Sequence, residues 1–452
     1  MTMRIHFVGV KGTGMSALAQ IAATMENAQV TGSDVTQRFF TDTLLEKANI
    51  TVLPFAKENI DGADLVVASA AYAKDHVEIS RAYELGIPVL SYPQYLGRLM
   101  DKRRSVCITG THGKTTTTAM TGLILRDAEL DPTIVVGSDV PVLGGNAYAG
   151  SGDLFVAESC EYRRHFLNYN PEFLAILNME LDHPDYFKDL DDVLLAFNEL
   201  AAKVPAHGQI VIWGDDSNYR QISSAAPQVT YGFMEHNDYR AVHVSFSGTT
   251  TSFEVLYHGN SLGNFSLGVS GKHNVLNALA AIALSSCLGV STDVIRTSLC
   301  HFTGTKRRFE RLGEFNGALI MDDYAHHPTE ISVTLEGARL AFPDRKILAV
   351  FQPHTFSRTE KLLEEFSHSF GNADEVIIAD IFGSAREQGG SNISAETLAQ
   401  KISATGIETK YLADLQQIKE YLSHHIGSEY LVITMGAGDI YKVGLDLVEL
   451  NV

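Results

Sequence analysis

The sequence predicts an α/β fold built on parallel sheets. The main observation is a repeated unit of short apolar strand, glycine-rich or polar turn, and helix-compatible stretch. It opens at Ile5–Val8, again at Ser105–Ile108, and in altered form at Ile347–Phe351. Strands that alternate with helices give parallel sheets, because each crossover lays a helix on a sheet face. The second observation is length: 452 residues, at roughly 100–200 per domain, make about two to four domains. The third is composition: 45% hydrophobic and 20% charged is ordinary for a globular chain with material for more than one core.

The first unit covers residues 1–103, with strands Ile5–Val8, Gln29–Gly32, Leu65–Ala68 and Pro88–Leu90. The basic cluster Lys102-Arg103-Arg104 leads into a second unit, 104–303, and a third, 304–452, begins near Gly304. Strands of the third are Ala318–Met321, Ile347–Phe351, Glu375–Ala379 and Tyr430–Thr434.

A formal net charge of −19 argues against nucleic acid or an anionic membrane as partner, since both repel an acidic surface. It leaves room for an anionic small substrate held by local amides and cations. Cys107, Cys160, Cys287 and Cys300 form no CxxC pair, so neither a zinc site nor a disulfide framework is expected. The N-terminus runs straight into a strand without a signal-peptide pattern. With no apolar run long enough for a bilayer, the expected location is cytoplasmic.

The strongest local signal is Gly110-Thr111-His112-Gly113-Lys114-Thr115-Thr116, between the strand Val106–Ile108 and the helical stretch Thr117–Arg126. In that context it reads as a phosphate loop. Backbone N–H groups near the glycines cradle phosphate oxygens at a helix N-terminus. Lys114 reaches the terminal phosphates, and the Thr115 hydroxyl suits magnesium. Only two residues separate Gly110 and Gly113, against four in the usual loop; the plain alternative is a glycine turn that caps a helix.

A second glycine loop, Gly9-Val10-Lys11-Gly12-Thr13-Gly14, precedes the helix Met15–Met25, with Asp34 at the end of the next strand. The spacing is not GxGxxG, so it supports a diphosphate at a helix N-terminus, from NAD or a UDP-sugar alike. Glu158 ends the segment Leu154–Ala157, where a carboxylate can complete a magnesium site with Thr115. Asn178–His183 follows the strand Phe173–Leu177, and His183 is a candidate for a second metal or the γ-phosphate. Gly271–Asn277 opens the helix Ala278–Leu288, and its asparagines suit an adenine edge as well as a helix cap. Arg307 and Arg308 lie at the junction of units two and three, where an arginine can neutralise a transferring phosphoryl group. Asp322–Pro328 is too polar for a strand interior.

Taken together and in this order, Gly110–Thr116, Glu158, Asn178–His183, Gly271–Asn277, Arg307–Arg308 and Asp323–His327 resemble the Mur ligases over the whole chain. Phe7-Val8-Gly9 with Gly14-Met15-Ser16, Asp322–Glu330, Gln352-Pro353-His354 and Met435–Ile440 resemble the branch that joins alanine to the sugar acid of UDP-N-acetylmuramate. The resemblance implies three α/β domains: an N-terminal Rossmann-like UDP-binding domain, a central P-loop ATPase-type domain and a C-terminal Rossmann-like domain that closes over the site. It implies ATP with Mg2+, for which Mn2+ substitutes, and the substrates UDP-N-acetylmuramate and L-alanine. It also implies a monomer or weak homodimer.

Carried onto these residues, Gly12, Thr13, Gly14 and Met15 hold the UDP diphosphate, with Asp34 and Ser69 near the nucleoside. The loop Gly110, Thr111, His112, Gly113, Lys114, Thr115 and Thr116 takes ATP. Thr115 and Glu158 hold one metal and His183 the second. His273, Asn274 and Asn277 adjoin adenine, Arg308 meets the γ-phosphate, and Asp323 meets the ribose. Tyr324, His326, His354 and Arg358 frame the amino acid, with His326 or His183 as proton acceptor. Thr355 stands where many relatives carry an arginine, and a hydroxyl cannot replace its bidentate charged contact. The run Glu158–Arg164 also departs from the family's more acidic pattern. Competing readings are a P-loop regulatory NTPase, a nicotinamide-dependent dehydrogenase, a recycling ligase that adds a tripeptide to the same sugar acid and, more distantly, folate polyglutamation.

Overall fold

The computed structural model describes residues 2–383 and 393–450; the outermost limits expected for the first and third domains, residues 1 and 452, lie outside them. Three sheets of five, ten and six strands follow one another along the chain. In the first, Arg4–Val8 lies between Gln29–Ser33 and Leu65–Ala68, all parallel. Connections leave this central strand to both sides, which opens a crevice at its carboxyl end. The glycine loop fills that crevice.

The central sheet repeats the arrangement. Arg104–Thr109 lies between Leu154–Glu158 and Phe173–Ile176, again parallel, with Ile108 opposite Glu158 and Thr109 opposite Ile176. The helix Lys114–Asp127 follows directly. Its first turns are threonine-rich, poor in intrinsic propensity, but Thr115–Leu125 are all buried, so tertiary packing holds it. It packs against the helix Lys272–Cys287.

The parallel expectation fails at the sheet's margins. Tyr239–Ser247, Thr250–Tyr257 and Asn260–Leu267 form an antiparallel meander, and Thr133–Val140 pairs antiparallel with Gly145–Tyr148. Short turns join these strands, and a short turn allows only antiparallel pairing. The third sheet is parallel except for its edge strand Glu310–Phe315. Asp323 ends its strand opposite Met435, and Phe351 pairs with the same residue.

The units are joined by different means. One cluster of buried apolar residues runs from Ile5 through Ala226 and so spans the first and central sheets. Among the described residues, no such cluster spans the central and third sheets. That seam carries polar contacts instead. Arg358 pairs with Asp182, His112 meets Glu330, Thr329 donates to Glu180, and Lys272 pairs with Glu336.

Candidate active site

Three strand ends meet at the phosphate loop. Gly110 has φ +140° and Gly113 φ +82°, and a Cβ at 113 would collide with Asn277 Oδ1, so only glycine fits there. Asn178, from the neighbouring strand end, fixes the loop. Its Oδ1 accepts from the His112 N–H at 2.7 Å, and its Nδ2 donates to the His112 carbonyl at 3.1 Å. The Lys114 ammonium donates to the Gly110 and Thr111 carbonyls and pairs with Glu161 at 3.0 Å. Burial opposes that charge, but Glu161 and its neighbours outweigh it and raise the lysine above its ordinary pKa.

The Thr115 hydroxyl donates to Glu158 at 2.9 Å, and the Gly137 N–H donates to the same oxygen at 2.8 Å. A hydroxyl beside a carboxylate is a pair of hard oxygen donors, which fits a magnesium-type ion. His183 Nε2 lies 3.8 Å from Glu161, the acid that also pairs with Lys114. Its ring sits 4.5 Å from that of Tyr162.

Beside the loop opens a cleft with about 1040 Å³ of empty space, solvent mouth included. Of the expected nucleotide contacts, His112, Gly113, Thr115, Thr116, His273, Asn274, Asn277, Arg308 and Asp323 line it. Trp213, Tyr231, Val269 and Phe302 supply an apolar end. There Trp213 Nε1 and Thr305 Oγ1 are buried without a hydrogen-bond partner among the described residues, as in a site that a base-bearing ligand completes. The shape and these donors fit ATP. Burial lowers His273 to about 4. Asp323 accepts N–H groups from Phe309 at 2.8 Å and Ala325 at 2.7 Å, yet burial still lifts its carboxyl to about 6.

The two adjacent arginines divide their tasks. Arg308 lies in the cleft, 3.6 Å from Glu330 and over the Tyr324 ring. Arg307 is a tie: Nε pairs with Asp322 at 3.0 Å, and Nη2 donates to the Gly436 carbonyl at 2.7 Å.

Tyr324, His326 and His354 form a chain of rings, with centroids 5.4 and 6.2 Å apart. His326 Nδ1 bonds the Tyr324 carbonyl at 3.0 Å, and burial drops the imidazole to about 3. Arg358 is engaged more fully than expected. Its Nε and Nη2 both lie 3.0 Å from Asp182 Oδ1, with the two side chains 6% and 7% exposed. Although burial opposes its charge, Arg358 holds Asp182 far below the usual carboxylate range. Thr355 has φ +69°, an unfavourable region for a β-branched residue.

At the first glycine loop, Gly12 caps the helix Thr13–Met25. The Asp34 carboxylate accepts from the Lys11 and Val35 N–H groups, both at 2.7 Å. Lys11 turns its ammonium away to Asp42 at 2.9 Å and the Gln37 carbonyl at 2.8 Å. Met15 is buried, and Ser69 Oγ accepts from the Ala71 N–H at 3.3 Å. From the central unit, Asn146 Nδ2 donates to the Thr13 carbonyl at 2.6 Å. A Cβ on Gly14 would meet the Tyr92 ring at 2.6 Å, so that ring packs directly on this loop.

Sequence reasoning did not single out Glu161, Asp182, Glu180, Glu330, Asn146, Tyr92 or Trp213. Several sit in quoted motif segments, where polar density after a strand was the available signal. Their partners are tertiary and leave no local trace.

Three family models match in succession: the Mur ligase family catalytic domain over residues 4–104, the Mur ligase middle domain over 108–285, and the Mur ligase glutamate ligase domain over 307–438. The chain belongs to the Mur ligase family. A curated Mur ligase of Desulfitobacterium hafniense, UDP-N-acetylmuramate–L-alanine ligase, is 61% identical across 99% of this chain and 100% of its own. The crystal structure of UDP-N-acetylmuramate-alanine ligase from Thermotoga maritima matches with TM-score 0.84 at 29% identity, covering 99% of both chains. A murein peptide ligase from Psychrobacter arcticus matches with TM-score 0.73 at 26% identity, over 99% of this chain and 98% of that one. The Mur ligase fold, three α/β units in series, is therefore the architecture of this chain.

Proposed function

We infer that the chain joins L-alanine to the carboxylate of UDP-N-acetylmuramate in an ATP-dependent step of peptidoglycan precursor synthesis. The full-length relationship to the Desulfitobacterium alanine ligase carries this reading. A carboxylate and an amine do not condense readily in water, because the oxygen is a poor leaving group. The sugar acid's carboxylate attacks the γ-phosphorus of ATP, giving an acyl phosphate and ADP. The alanine amine then attacks the acyl carbon, and phosphate leaves from the tetrahedral intermediate.

The chain's task is positioning and charge neutralisation. Lys114 and Arg308 meet the phosphates, Asn274 and Asn277 the adenine, and Asp323 the ribose. Gly12, Thr13, Gly14 and Met15 hold the UDP diphosphate. Tyr324, His326, His354 and Arg358 frame alanine. Thr115, Glu158 and His183 would hold Mg2+, or Mn2+ in its place, and the ion would supply positive charge against the phosphate oxygens. His326 is neutral at working pH and donates Nδ1–H to the Tyr324 carbonyl, leaving Nε2 to accept a hydrogen bond from the amine. Burial that holds the imidazole near 3 makes it a weak base, so its part is to orient the amine, and the proton passes on to solvent or departing phosphate. The polar seam between the central and third units suits closure around an intermediate that water would destroy. In keeping with a cytoplasmic reaction, no helix among the described residues is long and apolar enough to cross a membrane.

The test is phosphate release from ATP and Mg2+ with UDP-N-acetylmuramate and L-alanine each added and omitted, the product being weighed by mass spectrometry. Release that needs both, with a gain of one alanyl residue, is expected. Release that needs a tripeptide acceptor would move the chain to the recycling branch, and release indifferent to both would make it a regulatory NTPase.

A further inference from the structure

One cluster at the seam carries donors that the steps above do not use, although two of its members, His112 and Glu180, also line the nucleotide cleft. His112 and Glu180 come from loops of the central sheet, and His327 caps the helix Pro328–Ala341 of the third unit. A ring nitrogen of each histidine and a Glu180 oxygen all lie within 4.8 Å of one another, and His112 Nε2 is 3.6 Å from Glu180 Oε2. Among the described residues, neither histidine's buried Nε2 has a hydrogen-bond partner, and His327 is 5% exposed. The two imidazole nitrogens are closed off from water and converge on one carboxylate, with no partner closer than the His112–Glu180 ion pair.

We propose that His112, Glu180 and His327 form a transition-metal site, of the Zn2+ class, which clasps the central and third units together. Two imidazoles and a carboxylate are a set that Zn2+ and Co2+ take readily, whereas Mg2+, which prefers a shell made mostly of oxygen donors, takes a pair of imidazoles poorly. The site is therefore chemically distinct from the Thr115–Glu158 pair. Partners that orient such ligands are present. Glu330 lies 3.1 Å from His112 Nδ1, and Thr329 Oγ1 donates to Glu180 at 2.7 Å. Carboxylate–histidine pairs of this kind fix the ring and raise its basicity as a ligand. Bonds of about 2.0–2.1 Å require the three side chains to draw inward by about 1 Å. Glu180, 36% exposed, faces solvent and leaves a coordination position for water. Loading displaces the proton from His112 Nε2. It also breaks the 3.3 Å bond from the Thr329 N–H to His327 Nδ1, because a neutral imidazole bound through Nε2 carries its proton on Nδ1.

The test is titration of the full chain with Co2+, without nucleotide, followed by the intense visible d–d absorption of four-coordinate cobalt. One equivalent is expected to bind and to be displaced by Zn2+ but not by Mg2+. His327→Asn keeps a helix-capping side chain and removes Nε2, and Glu180→Gln keeps the shape and removes the charge. Each is expected to weaken Co2+ at least about 100-fold, and Glu330→Gln about 10–100-fold. His183→Gln and Cys300→Ser, controls for the reaction's own metal and for the exposed thiol, are expected to leave the absorption unchanged. Absence of the absorption in the unaltered chain, its survival in a folded His327→Asn or Glu180→Gln variant, or its loss in either control overturns the proposal. Circular dichroism identifies the folded variants, and Glu180→Gln decides should His327→Asn unfold.

Discussion

The chain carries two glycine loops at equivalent positions, each after the central strand of a parallel sheet and before a helix. They differ in where the lysine goes. Lys114 folds back over its loop, against the Gly110 and Thr111 carbonyls and Glu161. Lys11 points away, bound to Asp42 and Gln37. The first loop thus offers amides alone, enough to hold a diphosphate that does not react. The second adds a lysine charge held over the loop, together with the Thr115–Glu158 oxygen pair. On the proposed reading, a shared supersecondary unit serves binding in one place and reaction in the other, and the direction of one lysine separates them.

The sharpest way to break this comparison is to remove each lysine. Lys114→Met is expected to cut kcat by about 10²–10³-fold, the usual cost of losing a group that meets developing charge. Lys11→Met should hold kcat within about threefold, because it touches no reacting group, and lower Tm by unpairing Asp42. Steady-state phosphate release and a melting curve separate the two. Next come the glycines. Gly113→Ala forces a side chain into left-handed backbone, at about 1–3 kcal/mol, and onto Asn277. The KM for ATP should rise at least about tenfold, as 1.4 kcal/mol is one decade. Gly14→Ala presses on Tyr92 and should act on the KM of the UDP-sugar instead.

A smaller effect sharpens the nucleotide end. Asp323 titrates near 6 because burial disfavours its charge, against about 4 in an unfolded chain. Its contribution to folding stability is therefore full below about pH 4 and lost as pH rises through about 6. Ribose binding runs the other way, since the carboxylate is the better acceptor of hydroxyl protons. The KM for ATP is expected to rise below about pH 6, and Asp323→Asn should flatten that profile. The smallest change concerns Thr355. Thr355→Gly relieves a strained φ and, after the unfolded chain's gain in freedom, should stabilise by about 1 kcal/mol in urea unfolding.

Much of this was legible before any coordinates. Strand, glycine turn and helix are local patterns, so all three sheets, the phosphate loop and the Glu158 strand end could be read directly. The meander at 239–267 was also written in the chain, as alternating burial along Tyr239–Ser247 and Thr250–Tyr257, but the βαβ reading does not look for period two. What local pattern cannot reveal is partner choice. Lys114 meets Glu161 across 47 residues and Arg358 meets Asp182 across 176, and nothing in the flanking sequence announces either pair. The same holds for Arg307 and Arg308, adjacent and alike in type, of which one is a strut and the other faces the cleft.

The polar seam has a thermal consequence. A joint of ion pairs and hydrogen bonds, spanned by no buried apolar cluster among the described residues, parts without wetting much hydrocarbon. Its opening therefore carries little change in heat capacity, so the balance between joined and parted forms drifts only slowly on warming. Ionic strength is the stronger lever. The junction of the first and central units, sharing one apolar cluster, should respond in the opposite sense, indifferent to salt and weakened by cold.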